Sequence, residues 1–187
     1  MDWFLLTLLA SAFWSLGNIT DKIFVEKYFK NPFSYQIFGS LTNAVGLLLL
    51  VLLFKVELNL TSFLTVFVVN LPLWLAFYLY LKALQIEEAS RVVSLWYLIP
   101  MFVMILSAFT LGEILTVKEY IGAILLVTGA VTISCRKVEE TFKISKAFWL
   151  MLGSDIIFSG YLVLIKFVMK GIDAISVLFF SNLSSVI

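Results

Sequence analysis

The amino-acid sequence predicts an all-α protein, a polytopic bundle of transmembrane helices. Of its 187 residues, 62% are hydrophobic and 13% are charged, whereas roughly 25% of a soluble domain is charged. The mean hydropathy is +1.07. Apolar stretches alternate with short polar breaks, and most approach the length of about 20 residues that crosses a bilayer as a helix. Because lipid offers no partner to backbone polar groups, such stretches are expected to be helical.

The inventory of reactive side chains is small. The sequence has no histidine and a single cysteine, Cys135. Intrachain disulfides, Cys/His zinc sites, Cys–His nucleophiles and histidine general bases are therefore excluded. The net charge is only +1, and the scattered basic residues do not form the patch that nucleic acid requires. We expect no catalytic residues, no cofactor, no bound metal and no nucleic-acid partner.

The apolar stretches define six full spans and the start of a seventh. The predicted spans are Trp3–Asp21, Phe33–Phe54, Ser62–Leu81, Val92–Gly112, Tyr120–Cys135 and Ala147–Ile165, with the seventh beginning near Ala174. The first is interpreted as a retained helix, because it lacks the positive flank of a secretory signal. The seventh reaches Ile187 before attaining spanning length. We therefore expect a fragment of a longer protein, with the C-terminal helices of the same protein missing.

The first and sixth spans form a weak internal repeat. Placing Ser15 on Ser159 also places Lys22 on Lys166, and it aligns further identical phenylalanine and leucine residues. Each pair of polar residues keeps to one helix face. Duplicated helix sets of this kind are typical of secondary transporters.

Several spans carry a polar face. These faces comprise Ser11, Ser15, Asn18 and Lys22 in the first span, Gln36 and Asn43 in the second, Tyr78 in the third, and Asp155, Ser159 and Lys166 in the sixth. A polar face exposed to lipid is costly, so we expect these residues to face other helices or a wet cavity. An interhelical hydrogen bond explains any single serine or asparagine, whereas several converging faces favour a solute pathway.

The charged residues of these faces leave alternatives open. Asp155 is the one acid deep in a predicted span, which suits proton coupling or cation binding, or else a helix–helix pair with Lys22 or Lys166. The two lysines either snorkel to the membrane surface or point into a cavity, where they favour an anionic solute.

Aromatic residues and a proline add further candidates. Trp14, Tyr78, Trp96 and Tyr97 either line a solute pocket by stacking or fill lipid-facing positions. Pro100 predicts a kink in the fourth span, because it removes a backbone hydrogen bond.

The third to fifth spans carry motifs in a recognisable order. They read Ala76-Phe-Tyr-Leu-Tyr-Leu-Lys-Ala83, Glu87-Glu-Ala-Ser90, Pro100, Leu111-Gly-Glu113 and Tyr120-Ile-Gly-Ala-Ile-Leu-Leu-Val-Thr-Gly-Ala130. This order resembles the EamA-type domain of the drug/metabolite transporter superfamily. The resemblance implies inverted five-helix repeats with the solute site between them, so that residues 1–136 form the first domain, 137–146 a linker, and 147–187 the start of a truncated second domain.

The same resemblance implies a function. The resemblance implies a secondary transporter or exporter of small organic metabolites that works by alternating access in the plasma or inner cell membrane. A non-transporting membrane scaffold or subunit is the alternative. Short multidrug members of the superfamily couple protons through a glutamate in the first helix, but Ser11 stands here where Asp155 aligns.

Two glycines of the fifth span predict a packing contact. Gly122 and Gly129 give the fifth span a smooth packing face, used for a homodimer in short family members and equally suited to an interdomain contact. Glu113 is expected to cap the next helix.

Most lysines and arginines lie on the side opposite the N-terminus. This distribution of charge places the N-terminus outside, whereas the ten-helix family usually has it inside.

Overall fold

The computed structural model describes residues 3–56, 58–112, 116–134, 136–138, 141–143 and 145–186, and most of them are helical. The helices are α1 (Trp3–Lys27), α2 (Pro32–Leu53), α3 (Leu60–Ile86), α4 (Ala89–Leu95), α5 (Ile99–Leu111), α6 (Val117–Ser134), α7 (Lys146–Val168) and α8 (Ala174–Val186), with a 3₁₀ turn at Trp96–Leu98 between α4 and α5. The predicted all-α helical bundle is confirmed. A small antiparallel hairpin of β1 (Arg136–Val138) and β2 (Thr141–Lys143) lies in the predicted linker.

Five helical stretches of the described residues are long and apolar enough to cross a membrane. They are α1, α2, α3, the helical stretch Ala89–Thr110, which includes α4, the 3₁₀ turn and most of α5, and α7. The 18-residue helix α6 coincides with the predicted fifth span, and the shorter apolar helix α8 with the beginning of the seventh. The predicted end of the fifth span at Cys135 and the cap assigned to Glu113 lie outside the described residues.

The first helix is longer than predicted. It was expected to end at Asp21, but α1 continues to Lys27. Nothing at Asp21 stops a helix, and Lys22 forms an ion pair of 3.4 Å with Glu26 one turn later, an arrangement that supports the continuing helix. The true break is at Asn31, whose side chain caps α2 while Pro32 occupies its first turn.

Polar side chains cap the other helices in the loops. Thr116 and Glu119 form a capping box on α6, because Thr116 N and Oγ1 donate to Glu119 Oε2 at 2.7 and 2.8 Å. The backbone bond from Thr116, followed by its hydroxyl, lowers the pKa of the Glu119 carboxyl. Asp173 accepts from the N–H groups of Ile175 and Ser176 at the start of α8, both at 3.0 Å.

The third helix is the centre of the bundle. It packs most extensively against α7 and also contacts α1, α2, α4 and α8. Tyr80, Leu84 and Met151 are fully buried in the larger core cluster, and Val66 and Phe180 in a smaller cluster between α3 and α8. The helices that follow the hairpin therefore share their core with those that precede it.

Candidate functional site

One carboxylate joins three helices near one end of the bundle. Tyr35 of α2 donates to Asp21 Oδ1 at 2.6 Å, and Tyr80 of α3 lies 3.3 Å from Asp21 Oδ2. The Tyr80 hydroxyl also lies 3.1 Å from Oδ1 of the buried Asn18. We call Asn18, Asp21, Tyr35 and Tyr80 the tyrosine–aspartate cluster. It places an acid, an amide and two phenols within hydrogen-bond reach of one another.

Two tryptophans extend this cluster toward the middle of the bundle. The ring of Trp96 lies 4.5 Å from that of Tyr80, and the ring of Trp14 lies 5.6 Å from that of Trp96, between centroids. The predicted solute-stacking residue Trp14 thus adjoins the cluster, although more than half of its surface is exposed.

The position of Trp96 follows from the proline after it. Pro100 has no N–H to give to the Trp96 carbonyl, which instead accepts from the N–H of Ile99 and closes a 3₁₀ turn. The regular α-helix of the fourth span is therefore interrupted by the 3₁₀ turn at Trp96–Leu98, and α5 begins at Ile99. This interruption lies one turn before the kink that was expected at Pro100 itself.

Asp155 is a second carboxylate, deep in α7. Its residue is 0% exposed, and within the described ranges neither of its carboxylate oxygens has a hydrogen-bond partner. It lies about 13 Å along the helix from Lys146, at 1.5 Å per residue. The expected pair with Lys22 or Lys166 is not formed by these oxygens. The side chain is thus a buried acid without compensation from the residues described.

Serines beside Asp155 tie α7 to its neighbours. The Ser159 hydroxyl donates to its own helix at Asp155 O, 2.6 Å away, and lies 3.3 Å from Ile99 O at the interrupted span. The Ser154 hydroxyl donates to Ala76 O of α3 at 2.8 Å. The predicted residue Ser159 is therefore buried at the contact between α7 and the helix break.

Lys22 joins the ends of α1 and α3. Its ammonium donates to Leu84 O at 2.7 Å and to Glu87 O at 3.1 Å, at the carboxyl end of α3. In return, the Gln85 amide nitrogen of α3 lies 3.1 to 3.2 Å from three carbonyl oxygens at the end of α1, those of Val25, Phe29 and Lys30. Each helix thus caps the other. This arrangement satisfies carbonyls that a helix end leaves without partners, and it is a contact that the sequence did not predict for Lys22.

Polar residues of the second helix act mainly as contacts between helices. Gln36 donates to Trp74 O of α3 at 2.8 Å, whereas Asn43 is half-buried on the same helix. Asn70 of α3 donates to the Ser184 hydroxyl of α8 at 2.7 Å, and its own Oδ1 finds no partner among the described residues. An interhelical hydrogen bond is therefore sufficient to explain why Gln36 lies on this face of α2.

Several predicted residues lie apart from these sites. Ser11 and Ser15 are exposed and bond to carbonyls of their own helix, so the polar face of α1 enters the bundle only from Asn18 onward. Tyr97 and Lys166 are also exposed. Tyr78 lies on another face of α3 from Tyr80, with the Lys82 ammonium 4.8 Å from its ring centre. Among the described residues, the predicted positions are therefore divided between buried helix contacts and exposed helix faces.

The glycine face of α6 is open in the described part of the chain. A Cβ added at Gly122 or Gly129 would meet nothing within 4 Å. The neighbouring face of α6 and the facing side of α5 enclose an apolar cavity of about 470 Å³, lined by Met101, Met104, Ile105, Ala108, Phe109, Tyr120, Ala123, Ile124, Val127 and Thr128. No cluster of three His, Cys, Asp or Glu side chains suited to a metal occurs among the residues that were placed.

Sequence reasoning missed Asp21, Tyr35 and Tyr80. Asp21 was placed at the end of a span and therefore in water. The available signal was its spacing of three residues from Asn18, which puts both on one face of a helix. Neither tyrosine carries a local signal, because the contact of each with Asp21 depends on how three helices pack.

Long apolar helices, a buried acid whose oxygens have no partner among the described residues, and an interrupted span are together typical of a polytopic membrane protein of the transporter class. Residues 1–135 match the model of the EamA-like transporter family, and the chain belongs to this family. No curated protein and no solved structure matches the chain.

Proposed function

We propose that this chain acts in the secondary transport of small organic metabolites across the cell membrane, by alternating access between inverted repeats. The observation that carries the proposal is Asp155. A carboxyl group buried in a span without a partner lowers stability, and acids inside membrane spans mark ion and substrate pathways. A protein that only filled the membrane would gain stability by replacing it.

The surroundings of Asp155 support a role in coupling. Ser159, one turn along α7, contacts the Ile99 carbonyl at the interruption of the fourth span. Interrupted spans in transporters provide polar backbone groups and points of bending at the solute site. A change in the protonation or occupancy of Asp155 would therefore act next to the place where the fourth span is divided.

The tyrosine–aspartate cluster supports a second polar site on the same transport pathway. Asp21 and the Trp96 ring both lie against Tyr80, and Trp96 belongs to the 3₁₀ turn that precedes Ile99. The interruption thus connects the cluster with Ser159 and Asp155. In this proposal residues 1–136 form the first repeat and residues 147–187 begin the second.

Flux in proteoliposomes tests the proposal. The protein would be reconstituted, and the uptake of a panel of organic solutes would be followed under an imposed pH gradient for wild type, Asp155→Asn and Asp173→Asn. Asp173 is the matched control because it is an exposed acid of the α7–α8 loop. We expect gradient-driven flux that is lost in Asp155→Asn and kept in Asp173→Asn. Absence of flux for every solute from a folded protein would favour the membrane scaffold.

A further inference from the structure

A shallow cavity with a mainly apolar lining and two lysines lies at the end of the bundle where α3 finishes and α7 begins. It has a volume of about 510 Å³ and is lined by Lys82, Gln85, Ile86, Lys146, Trp149 and Leu150. Pockets for small ligands measure about 300 to 1,000 Å³. Neither Asp155 nor the tyrosine–aspartate cluster lines this cavity, so it is separate from the proposed transport pathway.

We propose that this cavity binds a phosphate group, carried by an anionic lipid headgroup or by a soluble phosphate. Its two charged lining residues are both lysines, Lys82 from α3 and Lys146 from α7. Within the described ranges neither lysine lies within 4.0 Å of a carboxylate. Two ammonium groups without an acidic partner favour an anion between them.

The backbone around the cavity adds to this charge. Lys146 is the first residue of α7, whose N-cap Ser145 accepts a hydrogen bond from Phe148 N, and the N-terminus of a helix carries a positive potential. The end of α3 would oppose it, since helix carboxyl ends are negative. Lys22, however, already occupies the carbonyls of Leu84 and Glu87 at that end, and Glu87 pairs with Arg91 at 3.5 Å.

The lining is also suited to a ligand at the membrane surface. Trp149 is 62% exposed and Ile86 is 53% exposed, and indole rings favour the headgroup level of a bilayer. The Lys82 ammonium is held over the Tyr78 ring, which restricts its motion before a ligand arrives. Exposed apolar side chains beside two lysines match a phosphate attached to acyl chains, while the same two lysines would also bind phosphate from solution.

Ligand binding by the full chain in neutral detergent tests this proposal. The probes are phosphatidylglycerol, phosphatidylcholine with the same acyl chains, and inorganic phosphate, and bound ligand is counted by native mass spectrometry and by the shift in melting temperature. The test variant is Lys82→Gln with Lys146→Gln. The control is Lys27→Gln with Lys30→Gln, which removes the same charge from two exposed lysines at the same end.

We expect saturable binding of one phosphatidylglycerol, weakened at least tenfold in the test variant and unchanged in the control. Binding of inorganic phosphate with the same dependence on Lys82 and Lys146 would identify the source as soluble. Arginine at both positions should preserve binding, which distinguishes loss of charge from loss of folding. Equal weakening in the control, or no saturable binding of either anion, would overturn the proposal.

Discussion

Tyr35 donates a hydrogen bond of 2.6 Å to Asp21, so the first turn of α2 is attached to an acid near the end of α1. Tyr80 of α3 lies 3.3 Å from the other carboxylate oxygen. A single side chain thus organises three helices. Its contribution to stability can be measured by removing one hydroxyl at a time.

Tyr35→Phe should lower the free energy of unfolding by about 1 to 3 kcal/mol, because it removes a donor from a part-buried carboxylate. Reversible chemical unfolding in mixed micelles would measure the change. Tyr28→Phe is the control, since Tyr28 is exposed and should change stability by less than about 0.5 kcal/mol. Equal effects of the two substitutions would show that the bond to Asp21 contributes nothing.

The two intramembrane acids should respond to leucine in opposite directions. Asp155→Leu removes an acid whose oxygens have no partner among the described residues and should raise the free energy of unfolding by about 1 to 3 kcal/mol. Asp21→Leu leaves the Tyr35 hydroxyl without its acceptor and the Tyr80 hydroxyl with Asn18 alone, and should lower it by a similar amount. The same unfolding assay compares them. A stabilised Asp155→Leu protein without flux would show that the acid is kept for function at the expense of stability.

Removal of the Lys22 ammonium should loosen the junction between α1 and α3. Lys22→Met keeps most of the length of the side chain but leaves the Leu84 and Glu87 carbonyls without their donor, which should cost about 1 to 2 kcal/mol. Lys27→Met is the control, because Lys27 is exposed on the next turn. The melting temperatures of both variants would be compared in the same detergent. An equal decrease would contradict the capping role of Lys22.

Two glycines on α2 should differ in their tolerance of alanine. At Gly39 an added Cβ meets nothing within 4 Å, so Gly39→Ala should stabilise the helix by about 0.5 to 1 kcal/mol. At Gly46 the Cβ would lie 3.3 Å from Asn182 Oδ1 of α8, and Asn182 would have to shift. We therefore expect a smaller gain or a loss for Gly46→Ala in chemical unfolding, and equal gains would show that this approach of α2 to α8 is not tight.

The cap at Asp173 should make stability depend on acidic pH. Hydrogen bonds from the Ser176 hydroxyl, then from the N–H groups of Ser176 and Ile175, lower the pKa of this carboxyl. Its contribution is therefore complete above the unfolded value of about 3.9 and is lost as the pH falls through the lower folded value. Asp173→Asn keeps the acceptor without titrating, so the melting-temperature difference between wild type and Asp173→Asn should change below pH 4 and stay constant above pH 6.

The helices could be predicted from sequence because their length and polarity are set by the thickness of the bilayer. Their ends were less predictable. Asp21 was taken as the polar end of the first span, although the helix continues to Lys27. Proline gave an incomplete signal as well: Pro100 follows an interruption, whereas Pro72 lies inside the continuous helix α3. Neighbours on several sides of α3 keep it helical despite the lost hydrogen bond.

The site was predictable only where one residue is unusual by itself. Asp155 was identified because an acid in an apolar span is rare. The tyrosine–aspartate cluster depends on contacts between residues far apart in the chain, and the reciprocal caps of Lys22 and Gln85 require the ends of two helices to meet. Tyr78 and Tyr80 show the difficulty, since residues two apart on a helix face different neighbours and hydropathy alone does not say which one turns inward.

Reciprocal capping of α1 and α3 has a consequence for the order of events during synthesis. The Lys22 ammonium and its first acceptor are separated by 62 residues, which a ribosome adds in about 3 to 12 seconds at 5 to 20 residues per second. Throughout that interval the end of α1 carries a charge and carbonyl groups that would be costly to place in hydrocarbon without partners. We therefore expect the end of α1 to stay hydrated until the third helix arrives, so that the two helices complete their insertion together.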